Sequence, residues 1–138
     1  LSCNNQINFK NCNLINEILD YDIITANPPY LSEEEYAQTS KEIQLFEPKI
    51  AFIASEDGYE YYNKIAKILP SLLNKNSRAF IEIGLNQAEK TTNIFESNNL
   101  NCLKIIKDLQ NFNRVLILNK TWYIFNIIYL HIYCILEN

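Results

Sequence analysis

Glycine is nearly absent from this sequence, with two residues in 138, Gly58 and Gly84, and methionine is absent altogether. Glycine lets backbone N–H groups approach a phosphate or a small anionic ligand with no side chain in the way, so no glycine-rich ligand cradle can form before residue 58. The one histidine and four cysteines, at positions 3, 12, 102 and 134, include no Cys-x-x-Cys pair, and neither a zinc site nor a disulfide framework is suggested. Lys and Arg total 12 against 16 acidic residues, a net charge of -4 with no basic run. The electrostatic footprint of a nucleic-acid binder is therefore missing. Leu1-Ser2-Cys3-Asn4-Asn5 lacks the charged and apolar regions of a signal peptide, and a reduced, cytoplasmic setting is the expectation.

What is present is ordinary globular material, 48% apolar and 20% charged, long enough for one domain with a core. The most informative stretch is Asp22-Ile23-Ile24-Thr25-Ala26-Asn27-Pro28-Pro29-Tyr30. Its branched isoleucines favour extended backbone, and Asn27, standing before a proline, is pushed toward β or polyproline II dihedrals. A strand delivers a stiff loop. Pro28 and Pro29 have no N–H, so the backbone there offers only carbonyl acceptors. Such a loop suits a substrate that donates: a planar NH2 group gives one hydrogen to the Asn27 side-chain oxygen and one to the Pro28 carbonyl, while the Tyr30 ring covers its face. Acceptors that draw on both hydrogens favour a more pyramidal, more nucleophilic nitrogen. For the bare tetrapeptide the alternative is an ordinary turn after a strand. The flanking strand argues against it, because open α/β sheets place ligands beyond the carboxyl ends of their strands.

Asn27-Pro28-Pro29-Tyr30 resembles the amino-methyltransferase motif of S-adenosylmethionine-dependent enzymes, which methylate glutamine amides or the amines of adenine and cytosine. Glu47-Pro48, Glu56-Asp57-Gly58, Glu82-Ile83-Gly84-x-x-Gln87 and Asp108-Leu109-x-x-x-x-Arg114-Val115 follow it in the order and spacing of the C-terminal half of the protein-glutamine N5-methyltransferases that modify peptide chain release factors. The resemblance runs from about Phe9 to Asn119. It implies a class I methyltransferase sheet, S-adenosylmethionine as cofactor and a release factor as protein substrate, with no direct contact to nucleic acid. It also implies roles: Asn27, Pro28 and Tyr30 act at the reacting nitrogen, Asn27 to Tyr30 bind the amide, and Asn27 lies near the cofactor sulfonium. The methyl moves by in-line displacement and the proton leaves afterward, so no strong base is required. Asn11-Cys12 occupies the slot in which the family carries an acidic or amide residue followed by Trp, which makes Cys12 a second cofactor-side candidate; the competing reading is a small buried residue. Glu82 and Gln87 are candidates for support of the site rather than for chemistry; the competing reading, and the preferred one for both, is an ordinary strand-end and helix-cap role. Glu47-Pro48 is expected either as an ordered turn beneath the loop or as a solvated one.

Along the chain, Asn8 to Asn11 reads as the end of a strand and Leu14 to Leu19 as a short helix or loop seam. Ser32-Glu33-Glu34-Glu35 reads as an N-cap with an acidic first turn. Tyr59, Tyr62, Ile65, Ala66, Leu69, Leu72 and Leu73 share one helical face, with Pro70 expected to kink or break the helix. A turn is expected at Asn74 to Ser77, with Asn in left-handed backbone. Arg78 to Gly84 reads as a buried strand, Gln87 to Ser97 as a second helix, and Leu103 to Ile106 and Val115 to Leu118 as an antiparallel hairpin. The expected fold class is thus α/β: the C-terminal half of a class I methyltransferase (Rossmann-like) sheet with a terminal hairpin, the first strands and the glycine-rich cofactor loop missing. In such a half-domain the fourth strand is unpaired on one side, and self-association through that edge is expected.

Residues 1–120 are accordingly read as a partial catalytic domain and 121–138 as an apolar tail that is not a domain. The tail's apolar stretch, Trp122 to Leu136, is 15 residues long, short of the roughly 20 that cross a bilayer as a helix, so a membrane span is not expected. With 20 Asn and 21 Ile in the chain, the coding bias suggests a frameshift or run-on product. Three functions result: a truncated N5-glutamine methyltransferase; a fragment of an N6-adenine or N4-cytosine DNA methyltransferase, weakened by the acidic balance; and a non-catalytic remnant.

Overall fold

The computed structural model describes residues 21–121. The readings made for Asn8 to Asn11, for Cys12, for Leu14 to Leu19 and for residues 122–138 lie outside them.

Strand β1 (Tyr21–Ala26) leads into the loop and then into two short helices, α1 (Glu33–Ala37) and α2 (Lys41–Phe46), and a 3-10 turn over Lys49–Ala51. The one-turn α3 (Ser55–Gly58) precedes the long helix α4 (Glu60–Leu72), which passes directly into β2 (Leu73–Glu82). Helix α5 (Ala88–Glu96) and strands β3 (Leu100–Lys107) and β4 (Asn113–Lys120) complete the described chain. The sheet order is β1-β2-β4-β3. β1 and β2 are parallel, whereas β4 runs antiparallel to both its neighbours. The expected α/β arrangement closed by an antiparallel hairpin is present. β1 ends the strand order, and among the described residues its outer edge carries no strand.

Period-two alternation in β2 sets the core. Ala79, Ile81 and Ile83 are fully buried and meet Leu116 and Leu118 of β4, Tyr62, Ile65, Ala66 and Leu69 of α4, and Ala88 and Phe95 of α5. The helical periodicity of α4 and the inward set of α5 are as the sequence indicates, with Thr92 less buried than Thr91. On the opposite sheet face Phe80 and Ile117 are half-buried and Ile23 is 65% exposed.

Two expectations are corrected. Helix α4 runs through Pro70 and stops two residues later at Leu72; so near the end of the helix a missing N–H and a ring clash displace little. No separate turn forms at Asn74 to Ser77. The segment stays within β2 as a bulge, with pairing shifted between Tyr21 and Ile23. Side chains take up its backbone groups: the Asn74 N–H donates to Ser77 Oγ at 3.0 Å, the Asn76 N–H to Asn74 Oδ1 at 2.9 Å, and the Ser77 hydroxyl donates to the Tyr21 carbonyl. Left-handed asparagines occur elsewhere, at Asn86, Asn99 and Asn111, where a loop, a helix end and a hairpin turn need them.

The hairpin turn is organised by Asp108. Its carboxylate accepts the N–H groups of Gln110 at 2.9 Å and Phe112 at 3.0 Å, and both Nε and Nη2 of Arg114. Arg114 Nη1 donates to the Ile83 carbonyl at 3.1 Å, tying the turn to the end of β2.

Phe95→Ala should remove about 3–5 kcal/mol of stability, because a buried aromatic leaves a cavity, as read from urea unfolding of the full chain. Leu109→Ala, at a fully exposed hairpin position, should change it by less than about 0.5 kcal/mol.

Candidate functional site

The loop after β1 has one free end and one fixed end. Its peptide bonds are trans, as are all the described ones. Asn27 is exposed, Pro28 is buried, and Pro29 and Tyr30 are half-buried. Among the described residues neither the Asn27 side chain nor the Pro28 carbonyl has a hydrogen-bond partner. Every polar group of Tyr30, by contrast, is engaged. Its N–H and that of Leu31 converge on the Phe52 carbonyl, at 3.1 and 2.9 Å; its carbonyl accepts Gln87 Nε2 at 2.9 Å; its hydroxyl donates to Glu82 Oε1 at 3.1 Å.

The segment that supplies Phe52 is built by local rules. Ser32 and Glu35 form a reciprocal capping box, the Glu35 N–H to Ser32 Oγ at 3.1 Å and the Ser32 N–H to Glu35 Oε2 at 2.9 Å. Ser40 caps α2 in the same sense. Glu47 and Pro48 are exposed, so the solvated turn is the outcome there, and Phe52 a few residues on meets the loop instead. A parallel bridge between Leu31 and Ile53 and the Ala54 N–H on the Leu31 carbonyl at 3.0 Å continue the seam.

Two hollows meet at Asn27. One of about 70 Å³ lies on the loop side, between Pro28, Tyr30, Ala51 and Phe52. The other, of about 230 Å³, lies at the carboxyl ends of β1 and β2, between Thr25, Phe80, Glu82 and Val115. Asn27 thus stands between the two hollows, at the strand ends where open α/β sheets receive ligands. Burial first, and then the Glu82 carboxylate, raise the Tyr30 phenol above its ordinary value of 10.0, against the opposing charge of Arg114. Tyr30 is a neutral, anchored ring.

Asn27, Pro28, Pro29 and Tyr30 are contiguous, and the fold brings Glu82 and Gln87 to them, while Cys12 lies outside the described residues. Glu82 does end β2. Gln87 occupies the cap position of α5, but its side chain makes no capping hydrogen bond and turns to Tyr30 instead. Phe52 and Tyr62 are participants that sequence reasoning missed. Phe52 acts through its carbonyl, which no side-chain pattern advertises. Tyr62 reads as one member of an apolar helical face, and its hydroxyl gives no separate signal.

The described residues do not cradle the methionine end of an S-adenosylmethionine. The two glycines are packed against Tyr30 and Gln87 rather than opening backbone N–H groups to a ligand, and among the described residues no group of His, Cys, Asp and Glu could hold a metal. No helix of the described residues is long and apolar enough to cross a membrane.

No protein-family model matches the chain. It is similar to a release factor glutamine methyltransferase of Fusobacterium nucleatum, 35% identical over 117 residues that make up 83% of this chain and 33% of the relative. A release factor glutamine methyltransferase of Thermodesulfovibrio yellowstonii is 37% identical over 71% of the chain and 35% of its own length. A bifunctional methyltransferase of Rickettsia typhi is 43% identical over 70% of the chain and 18% of its own length. The chain spans about a third or less of the length of these three relatives, and its match to the two release factor glutamine methyltransferases is to their C-terminal part. Among solved structures, a release-factor-specific protein-(glutamine-N5) methyltransferase from Alicyclobacillus acidocaldarius superposes on 75% of this chain and 50% of its own, with a TM-score of 0.46 and 21% identity.

The raised Tyr30 phenol sets a sign. Its contribution to stability is complete below the unfolded value of 10.0 and is lost as pH rises through the higher folded value. Urea midpoints followed through the alkaline range should therefore decline less steeply in Tyr30→Phe than in the parent chain, Tyr59 and Tyr62 being common to both.

Proposed function

We propose that this chain, similar to the C-terminal part of the release factor glutamine methyltransferases, forms the methyl-acceptor half of an S-adenosylmethionine-dependent methyltransferase whose substrate is a glutamine side-chain amide of a peptide chain release factor. The observation that carries this reading is the division of the loop into free acceptors and a fixed anchor. The Asn27 oxygen and Pro28 carbonyl have no partner among the described residues, while the N–H, carbonyl and hydroxyl of Tyr30 are all held.

Two acceptors on a proline-stiffened backbone accept both hydrogens of one NH2 group and so fix the direction of its lone pair. Drawing on both hydrogens favours the pyramidal nitrogen that develops as a bond forms. In this reading the Tyr30 ring, neutral and anchored at its hydroxyl, covers the amide plane. The cofactor supplies a methyl group on a sulfonium; the chain's own contribution is the orientation of the nitrogen that receives it. A translation-factor substrate corresponds to a cytoplasmic setting.

Asn27→Ala should weaken binding of a glutamine-containing peptide by roughly 10- to 100-fold, the equivalent of about 1–3 kcal/mol for a lost side-chain acceptor, with the urea midpoint unchanged. Amide-resonance titration of the full chain measures it, and equal affinity in the variant rejects the reading. Calorimetric titration with S-adenosylmethionine separates the two halves of the site. No micromolar binding is expected, because neither glycine is placed to form the donor's cradle; micromolar affinity would mean that this chain holds the donor as well.

A further inference from the structure

A chain with two glycines has both of them at one point. A Cβ on Gly58, where φ is +89°, would lie 2.3 Å from the Tyr30 carbonyl oxygen and 2.9 Å from Gln87 Nε2. A Cβ on Gly84 would lie 2.5 Å from Gln87 Oε1 and 3.0 Å from Tyr30 Cδ2. Between them runs the Gln87 side chain, 5% exposed. Its Oε1 accepts the Gly84 N–H at 3.0 Å and the Tyr62 hydroxyl at 3.0 Å, and its Nε2 donates to the Tyr30 carbonyl at 2.9 Å. The amide has only one possible orientation, since a backbone N–H can only donate and a carbonyl can only accept.

Because Gln87 fixes the Tyr30 carbonyl from one side and Phe52 fixes the Tyr30 N–H from the other, the peptide groups flanking Tyr30 cannot turn. Pro28 and Pro29 carry that constraint back toward Asn27, since their φ angles are locked. We infer that Gln87 is a positioning residue for the amide site: through the buried hydrogen bond to the Tyr30 carbonyl it sets the direction in which Asn27 and the Pro28 carbonyl face. The two glycines are where they are because any side chain would displace this amide. The inference rests on the amide-binding reading above and assigns Gln87 no contact with substrate.

Gln87→Glu keeps the shape and the Oε1 acceptor but, when ionised, cannot donate to Tyr30. At about pH 7.5 it should bind acetyl-Gly-Gln-Gly-amide about ten-fold or more weakly than the parent chain. At about pH 4.5 burial of this position keeps the carboxyl protonated, it donates in place of the amide, and affinity should return to within about three-fold of the parent's at that pH. The parent chain measured at both pH values controls for Glu34, Glu35, Asp57 and Glu82 nearby. Gln87→Met, with no donor at any pH, should stay weak at both. A purely structural role predicts no acid rescue. Equal binding by Gln87→Glu at the higher pH, or an acid-insensitive loss in a folded variant, overturns the inference. If the parent chain binds no peptide at all, the amide-binding reading fails, and the positioning of Tyr30 is decided by its phenol titration: in Gln87→Met the midpoint should fall toward the ordinary tyrosine value, and an unchanged midpoint overturns the inference.

Discussion

The amide of Gln87 and the carbonyl of Phe52 grip the two sides of Tyr30, and the rest of the site depends on that grip. The loop from Asn27 to Tyr30 contains two residues unable to donate a backbone hydrogen bond. Left to itself it would pivot at its junction with β1. With the Tyr30 N–H and carbonyl both engaged and its hydroxyl on Glu82, it is fixed at the far end, while the prolines remove flexibility in between.

That arrangement has a local cost. Glu56 and Asp57 sit in left-handed backbone just before Gly58, a conformation worth of order 1–3 kcal/mol of strain at each non-glycine residue. Surrounding bonds hold them there. The Gly58 N–H reaches the Ala54 carbonyl at 3.2 Å, the Glu60 carboxylate accepts the Ser55 N–H at 3.0 Å, and Asn63 Nδ2 donates to Glu56 at 2.6 Å. The result brings a residue without a side chain against the Tyr30 carbonyl, where a Cβ would lie 2.3 Å from the oxygen. Strain and close approach are thus parts of one device.

The sheet supplies the other half of the geometry. Parallel pairing of β1 with β2 brings Asn27 and Glu82 to the same edge, and the hairpin locks that edge from the opposite side. Arg114 links the Asp108 carboxylate to the Ile83 carbonyl while the Ile83 N–H returns to the Arg114 carbonyl at 2.9 Å. The backbone hydrogen bonds of the hairpin are consequently continuous with the strand end that carries the Tyr30 partner.

The sequence by itself determined the order of the principal strands and helices, though not α2 or the 3-10 turn after it, and the lack of backbone donors at Pro28 and Pro29. Branched residues ahead of Asn-Pro-Pro, the Ser32 cap and the periodicity of α4 are local signals, and each acts within a few residues of its cause. It overestimated the break at Pro70 and placed a turn at Asn74 to Ser77, because side-chain bonds to the backbone and pairing with Tyr21 override turn propensity. What only the tertiary structure decided is what the glycines and Gln87 are for. Gly58, Gly84, Gln87 and Tyr62 lie 28, 54, 57 and 32 residues beyond Tyr30, too far along the chain for any spacing rule to join them. Their common purpose is a matter of packing: a buried amide can satisfy the Gly84 N–H, the Tyr62 hydroxyl and the Tyr30 carbonyl together only where two side chains have been left out.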